Sequence, residues 1–125
     1  MKIHHIGIAC SDIEEALADF EKYHPIIKRS EVVYDELQKA KLCMVYSDMG
    51  LAVEFIAGEQ VARLLKKGIS YYHLCYEVDN LDDTLTDYVG KGAMMISEPK
   101  SAVLFGGRRV AFLYLPYGLV EFLEK

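Results

Sequence analysis

The order of apolar and polar residues along the chain reads as alternating strands and helices. From Lys2 to Ala9 the pattern has a period of two, with Ile6 and Ile8 on one face and His5, Gly7 and Ala9 on the other. The spacing then changes to that of a helix. Ser11 and Glu14 stand at capping-box distance, and Ile13, Ala16, Leu17 and Phe20 make one apolar stripe that ends at His24-Pro25. Three strands are predicted next, over Ile26 to Val33, Lys41 to Tyr46 and Leu51 to Ile56, with Asp48-Met49-Gly50 as the turn between the last two. Glu59 to Lys67 reads as a short helix closed by Gly68. Tyr71 to Val78 is again a strand. Asn80 and Asp83 have cap spacing ahead of a second stripe, Leu81, Leu85, Tyr88 and Val89, and Gly90 and Gly92 end that helix. Strands over Ala93 to Ser97, Arg109 to Leu113 and Leu119 to Leu123 complete the chain.

Strand, helix and three strands thus occur twice. A shift of 68 lays His5-Ile6 on His73-Leu74, Ile13 on Leu81 and Leu17 on Leu85. A shift of 67 lays Val53-Glu54-Phe55-Ile56 on Val120-Glu121-Phe122-Leu123. The predicted organisation is one domain over residues 1–125, with internal βαβββ modules at about 1–57 and 69–125 joined by a helical connector at 58–68.

The repeat carries chemistry. Forty-nine positions separate His5 from Glu54, and 48 separate His73 from Glu121. In each half the histidine lies in the first strand and the glutamate in the last. Glu54 is flanked by Val53 and Phe55, and Glu121 by Val120 and Phe122. If the apolar neighbours face a helix, each glutamate faces the other way. A carboxylate inside an apolar strand is costly to bury alone, so that face should meet a hydrated cleft or a cation. Two imidazoles and two carboxylates suit one divalent Ni, Co, Zn, Fe or Mn ion, and a six-coordinate ion would keep two positions open. His4 has the opposite parity to His5, and a cap role suffices for His24.

Composition narrows the function classes. The formal net charge of −5 argues against general nucleic-acid binding. No apolar run approaches a membrane span, and the opening MKIHHIGIA is not a signal peptide, which points to a cytoplasmic protein with no membrane partner. Cys10, Cys43 and Cys75 form neither a C-x-x-C pair nor a disulfide framework and read as small buried hydrophobes.

The segments His4-His5-Ile6-Gly7-Ile8-Ala9, His73-Leu74-Cys75-Tyr76-Glu77-Val78-Asp79, Gly107-Arg108-Arg109-Val110-Ala111-Phe112-Leu113 and Val120-Glu121-Phe122-Leu123-Glu124 together resemble the vicinal oxygen chelate superfamily, which includes glyoxalase I (lactoylglutathione lyase) and methylmalonyl-CoA epimerase. The resemblance implies an α+β fold in which two βαβββ modules form a curved eight-stranded mixed sheet around a metal held by His5, Glu54, His73 and Glu121. It also implies a homodimer, and chemistry in which the metal polarises a substrate carbonyl while a carboxylate of its shell moves the adjacent proton. Glu121 is the first candidate for that role and Glu54 the second. The stretch from Glu31 to Cys43, the connector and the Gly-Gly-Arg-Arg run look most like methylmalonyl-CoA epimerase. The epimerase pattern, however, has Gln where this chain has Glu54, and its proposed carboxylate base falls near Lys41, where there is none. Lys41 reads as a solvated lysine.

Three further residues are candidates for the substrate. Tyr71 shares the face of His73, and Arg108 and Arg109 follow two glycines at a strand entrance, where guanidinium groups suit an anionic tail or a solvated turn equally. The expected activity is that of a metal-dependent isomerase or lyase acting on a small carbonyl compound or thioester. The alternatives are a metal-free small-molecule binding or resistance protein of the same fold, and then a dioxygenase.

Overall fold

The structure, a computed structural model, describes every residue except Leu37. The chain divides into two compact units, one of residues 5–72 and one of residues 1–4 together with 73–125. Each is built on the same plan.

In the first unit β1 (Lys2–Ala9) leads into α1 (Ile13–Tyr23), followed by β2 (Ile26–Arg29), β3 (Val33–Asp35), β4 (Ala40–Ser47), β5 (Ala52–Gly58) and α2 (Glu59–Lys66). The strand order is β2-β4-β5-β1, and β3 also pairs with β4. Pairing of β1 with β5 is parallel; the other pairs are antiparallel. Asp12, not Ser11, caps α1: its carboxylate accepts from the Glu15 N–H at 2.9 Å, so the box lies one residue later than the spacing predicts. The predicted stripe is the buried one. Ile13 and Leu17 pack with Cys43, Val45, Val53 and Phe55 of the sheet, and Ala16 and Phe20 flank them.

The second unit repeats this with β6 (Tyr71–Val78), α3 (Leu81–Gly90), β7 (Met94–Met95), β8 (Lys100–Ser101), a 3-10 turn over Val103–Phe105, β9 (Arg109–Leu115) and β10 (Gly118–Glu124). The order is β7-β9-β10-β6, and β8 also pairs with β9. Asn80 caps α3, accepting from the Asp83 N–H at 2.9 Å as its spacing predicts. Leu81 and Leu85 pack on Val78, Ala111, Leu113, Val120 and Phe122, with Tyr88 beside them. Val89, placed in the same stripe from the sequence, is 43% exposed. Ten-residue helices are marginal alone, so this burial, roughly 1.5–3 kcal/mol for each large side chain, holds α3 in place.

The α+β fold is the expected one, with ten strands among the described residues where eight were predicted. The two extra strands have one cause. The single strand predicted over Ile26 to Val33 is broken into β2 and β3, and the one over Ala93 to Ser97 is replaced by β7 and β8. Both breaks fall at the second strand of a module.

Candidate metal centre

In the first unit two consecutive residues of β4 face opposite sides. Cys43 and Val45 meet α1, while Leu42 and Met44 are buried on the other face. The register carries that second face across the sheet: Met44 lies opposite Glu54, Leu42 opposite Ile56, and Glu54 opposite Gly7 of β1. His5 shares this face by parity with Gly7. A glycine beside Glu54 leaves its carboxylate room along the strand, and His5 Nε2 stands 3.6 Å from Glu54 Oε1. His5 is fully buried and Glu54 nearly so, at 4% exposure.

The second unit builds the same pair. Glu121 lies opposite Cys75 of β6 and opposite Phe112 of β9. His73 Nε2 stands 3.3 Å from Glu121 Oε1, and both residues are buried. The Phe112 ring meets the His73 imidazole edge-on, with centroids 5.4 Å apart and planes at 90°. Cys75, Val110 and Leu123 continue this face into an apolar cluster with Ala102, flanked by Phe105.

Burying a carboxylate beside an imidazole among apolar side chains is costly, so such a pair is more than packing. Each half supplies one nitrogen and one oxygen donor in that condition. Such a donor set fits a borderline divalent transition ion. Burial, with Asp12 adding to it, pushes the half-buried Cys10 thiol up to about 11, and burial also raises Cys43. These two thiols stay protonated, as small hydrophobes do.

The remaining candidates fall elsewhere. His4 packs its ring against Phe105 at 5.5 Å, and His24 Nδ1 pairs with Asp48 at 3.2 Å. Lys41 is exposed on β4, on the α1 side of the sheet. Tyr71 is 76% exposed at the start of β6, and Tyr72 beside it is half-buried. Both arginines are engaged by acids of their own unit. Arg108 donates from Nη2 to Glu77 Oε2 at 2.6 Å and from Nε to the Glu124 carbonyl at 2.8 Å. Arg109 donates to Glu124 Oε1 at 3.0 Å and to Asp82 Oδ2 at 3.1 Å. The guanidinium groups hold the Glu77 and Glu124 carboxyls below the usual carboxylate range.

Met44 and Phe112, directly opposite the two glutamates, escaped the reading of the sequence. The shift of 68 that aligns His5 with His73 also aligns them, but their unlike side chains hide the correspondence.

Comparison with known proteins agrees with this architecture. The family described as Glyoxalase/Bleomycin resistance protein/Dioxygenase superfamily matches residues 4–112. No curated protein sequence matches the chain. Among solved structures, methylmalonyl-CoA epimerase from Mycobacterium tuberculosis is 17% identical with a TM-score of 0.77, covering 98% of this chain and 87% of its own. A variant of the Streptomyces coelicolor methylmalonyl-CoA epimerase in complex with 2-nitronate-propionyl-CoA is 21% identical with a TM-score of 0.80, covering 100% of this chain and 97% of its own. A hypothetical protein from Bacillus halodurans is 24% identical with a TM-score of 0.79, covering 99% and 94%. At such identities the likeness is one of fold.

Proposed function

Because this chain belongs to the Glyoxalase/Bleomycin resistance protein/Dioxygenase superfamily, we propose that it is a metal-dependent isomerase or lyase that moves a proton next to a substrate carbonyl. The observation that carries this reading is the buried histidine–glutamate pair found at matching positions of both modules. In this reading His5, Glu54, His73 and Glu121 together hold one divalent Ni, Co, Zn, Fe or Mn ion. The bound ion supplies Lewis acidity, which makes the C–H beside a coordinated carbonyl easier to ionise.

The chain's own residues do the rest. The imidazoles of His5 and His73 serve as neutral nitrogen donors, since a protonated ring has no lone pair to give. The Glu121 carboxylate takes the proton from carbon and returns it; Glu54 is the second candidate for that transfer. Return to the opposite face is epimerisation, and delivery to the neighbouring carbon is a lyase of the lactoylglutathione type. The apolar side chains of Met44, Leu42, Cys75 and Leu123 keep water from the carboxylates. Tyr71 is exposed at the start of β6, and Arg108 and Arg109 fix Glu77 and Glu124; these three side chains are the candidates to meet the substrate. The substrate class is a small carbonyl compound, and the CoA ester bound by the Streptomyces coelicolor epimerase variant favours a thioester.

The test is exchange of an α-proton for solvent deuterium, followed by NMR, with methylmalonyl-CoA and with the hemithioacetal of methylglyoxal and glutathione. We expect one metal ion per chain, exchange with one of these substrates, and its loss on chelation. His73→Ala should lose the ion and keep the fold. Glu121→Gln should lose exchange by orders of magnitude, with metal content measured alongside. Full exchange by metal-replete Glu121→Gln removes Glu121 as the base. No exchange with either substrate, together with tight binding of an intact small molecule, replaces this reading with that of a binding protein.

A further inference from the structure

We infer that Ser30 and Ser97 are positioning residues for the two histidine–glutamate pairs, an assignment that rests on the metal-dependent reading above. Each serine stands where the second strand of its module breaks. Ser30 follows β2 and precedes β3; Ser97 lies between β7 and β8. At that point the edge strand leaves the ladder, and the residue facing it on the neighbouring strand needs another partner for its N–H.

The serine hydroxyl supplies it in both units. Ser30 Oγ accepts from the Met44 N–H at 2.9 Å, and the Ser30 N–H donates to the Met44 carbonyl at 2.8 Å. Ser97 Oγ accepts from the Phe112 N–H at 3.1 Å, and the Phe112 carbonyl takes the N–H groups of Ile96 at 2.8 Å and Ser97 at 3.4 Å. Ser30 also donates its hydroxyl proton to the Glu31 carbonyl at 2.8 Å, which fixes the direction of its lone pairs. Met44 and Phe112 are the residues directly opposite Glu54 and Glu121. Each serine therefore fixes the main chain of the residue against which a glutamate lies.

The consequence for the pair is clearest in the second unit. The ring that Phe112 presents edge-on to His73 moves with the Phe112 backbone. A hydroxyl that anchors this backbone sets the wall against which the imidazole and the Glu121 carboxylate settle. Ser30 and Ser97 are related by the shift of 67 that relates Glu54 and Glu121. Loops of different length and sequence keep the same acceptor in the same place, which a bond serving only one loop would not require. Outer partners of metal ligands typically change affinity about 10- to 100-fold when removed. These serines act one step further out, so we expect about tenfold.

The test uses the full chain, freed of metal and titrated with Co²⁺, reading affinity by competition with a chelator and ligand geometry by the visible absorption of bound cobalt. Ser30→Ala and Ser97→Ala should bind cobalt about tenfold more weakly, with altered spectra. Ser30→Thr and Ser97→Thr keep the acceptor oxygen and should stay near wild type. Leu85→Ala, in the core on the α3 side of the sheet, controls for general destabilisation: it should lower the melting temperature and leave cobalt affinity and spectrum unchanged. Wild-type affinity and spectrum in both alanine variants overturn the assignment, as does an equal loss in Leu85→Ala. Failure of the wild-type chain to take up cobalt removes the metal reading itself and this role with it.

Discussion

Arg108 sits at the meeting point of a side-chain and a main-chain acceptor, and its charge sets a pH dependence. Its guanidinium is the main cause of the low pKa of Glu77, with His4 and Lys2 adding to it. A carboxyl whose folded pKa is depressed stabilises the fold fully above its ordinary value of about 4.3, and this contribution is lost as pH falls through the folded value. The melting temperature of Arg108→Ala should therefore lie below that of wild type near neutrality. The gap should close as pH is lowered through the acid range below about 4.3. A gap that stays constant down to the acid limit would assign the loss to packing of the arginine stem instead. At this scale, legibility divided by how local the cause was. Parity alone indicated that Glu54 and Glu121 face away from Val53, Phe55, Val120 and Phe122, since neighbours on a strand decide it. The roles of Ser30 and Ser97 were not legible, because they depend on which residue of another strand lies opposite, and Arg108 read equally as an anion binder because its partner Glu77 is 31 positions away.

Elements were legible where a local signal marks both ends. The stripes of α1 and α3 and the cap at Asn80 follow from spacing within one turn. The cap of α1 is less legible, because Ser11 and Asp12 are both good caps and the choice depends on which residue takes extended dihedrals. Asp12→Ala should cost about 1 kcal/mol, read as a lower urea midpoint with an unchanged slope. Ser11→Ala should leave the midpoint where it is, and an equal loss in both variants would show that either residue can cap. The N-terminus of α3 is better protected. Besides Asn80, the Glu124 carboxylate accepts from the Leu81 N–H at 2.8 Å. The broken second strands were not legible from periodicity. Ile26 to Val33 carries enough apolar residues to read as one run, and only the turn of the chain at Ser30, where the hydroxyl replaces a ladder partner, ends β2.

For the whole molecule the repeat was the strongest signal in the sequence, since equal shifts at distant positions have no local explanation. Association with a second copy has no such signal in the sequence. Met94, Met95 and Ile96 stand exposed along and after β7, at the end of the strand order in their unit. We expect a homodimer, with a mass of twice 14.2 kDa by light scattering at micromolar concentration; a mass of 14.2 kDa under those conditions removes that expectation. Among the described residues no helix is long and apolar enough to cross a membrane. The grouping of residues 1–4 with residues 73–125 bears on how the chain becomes a structure in time. Met1 Sδ accepts from the Tyr88 hydroxyl, Lys2 approaches Glu77, and His4 packs on Phe105. In the order of synthesis these four residues precede every one of those partners. The opening of β1 must wait while its remainder, from His5 onward, already has β5 to pair with. Closure of the second unit thus waits on a contact between residues far apart in sequence, and its slowest step should be the return of residues 1–4 to residues 73–125.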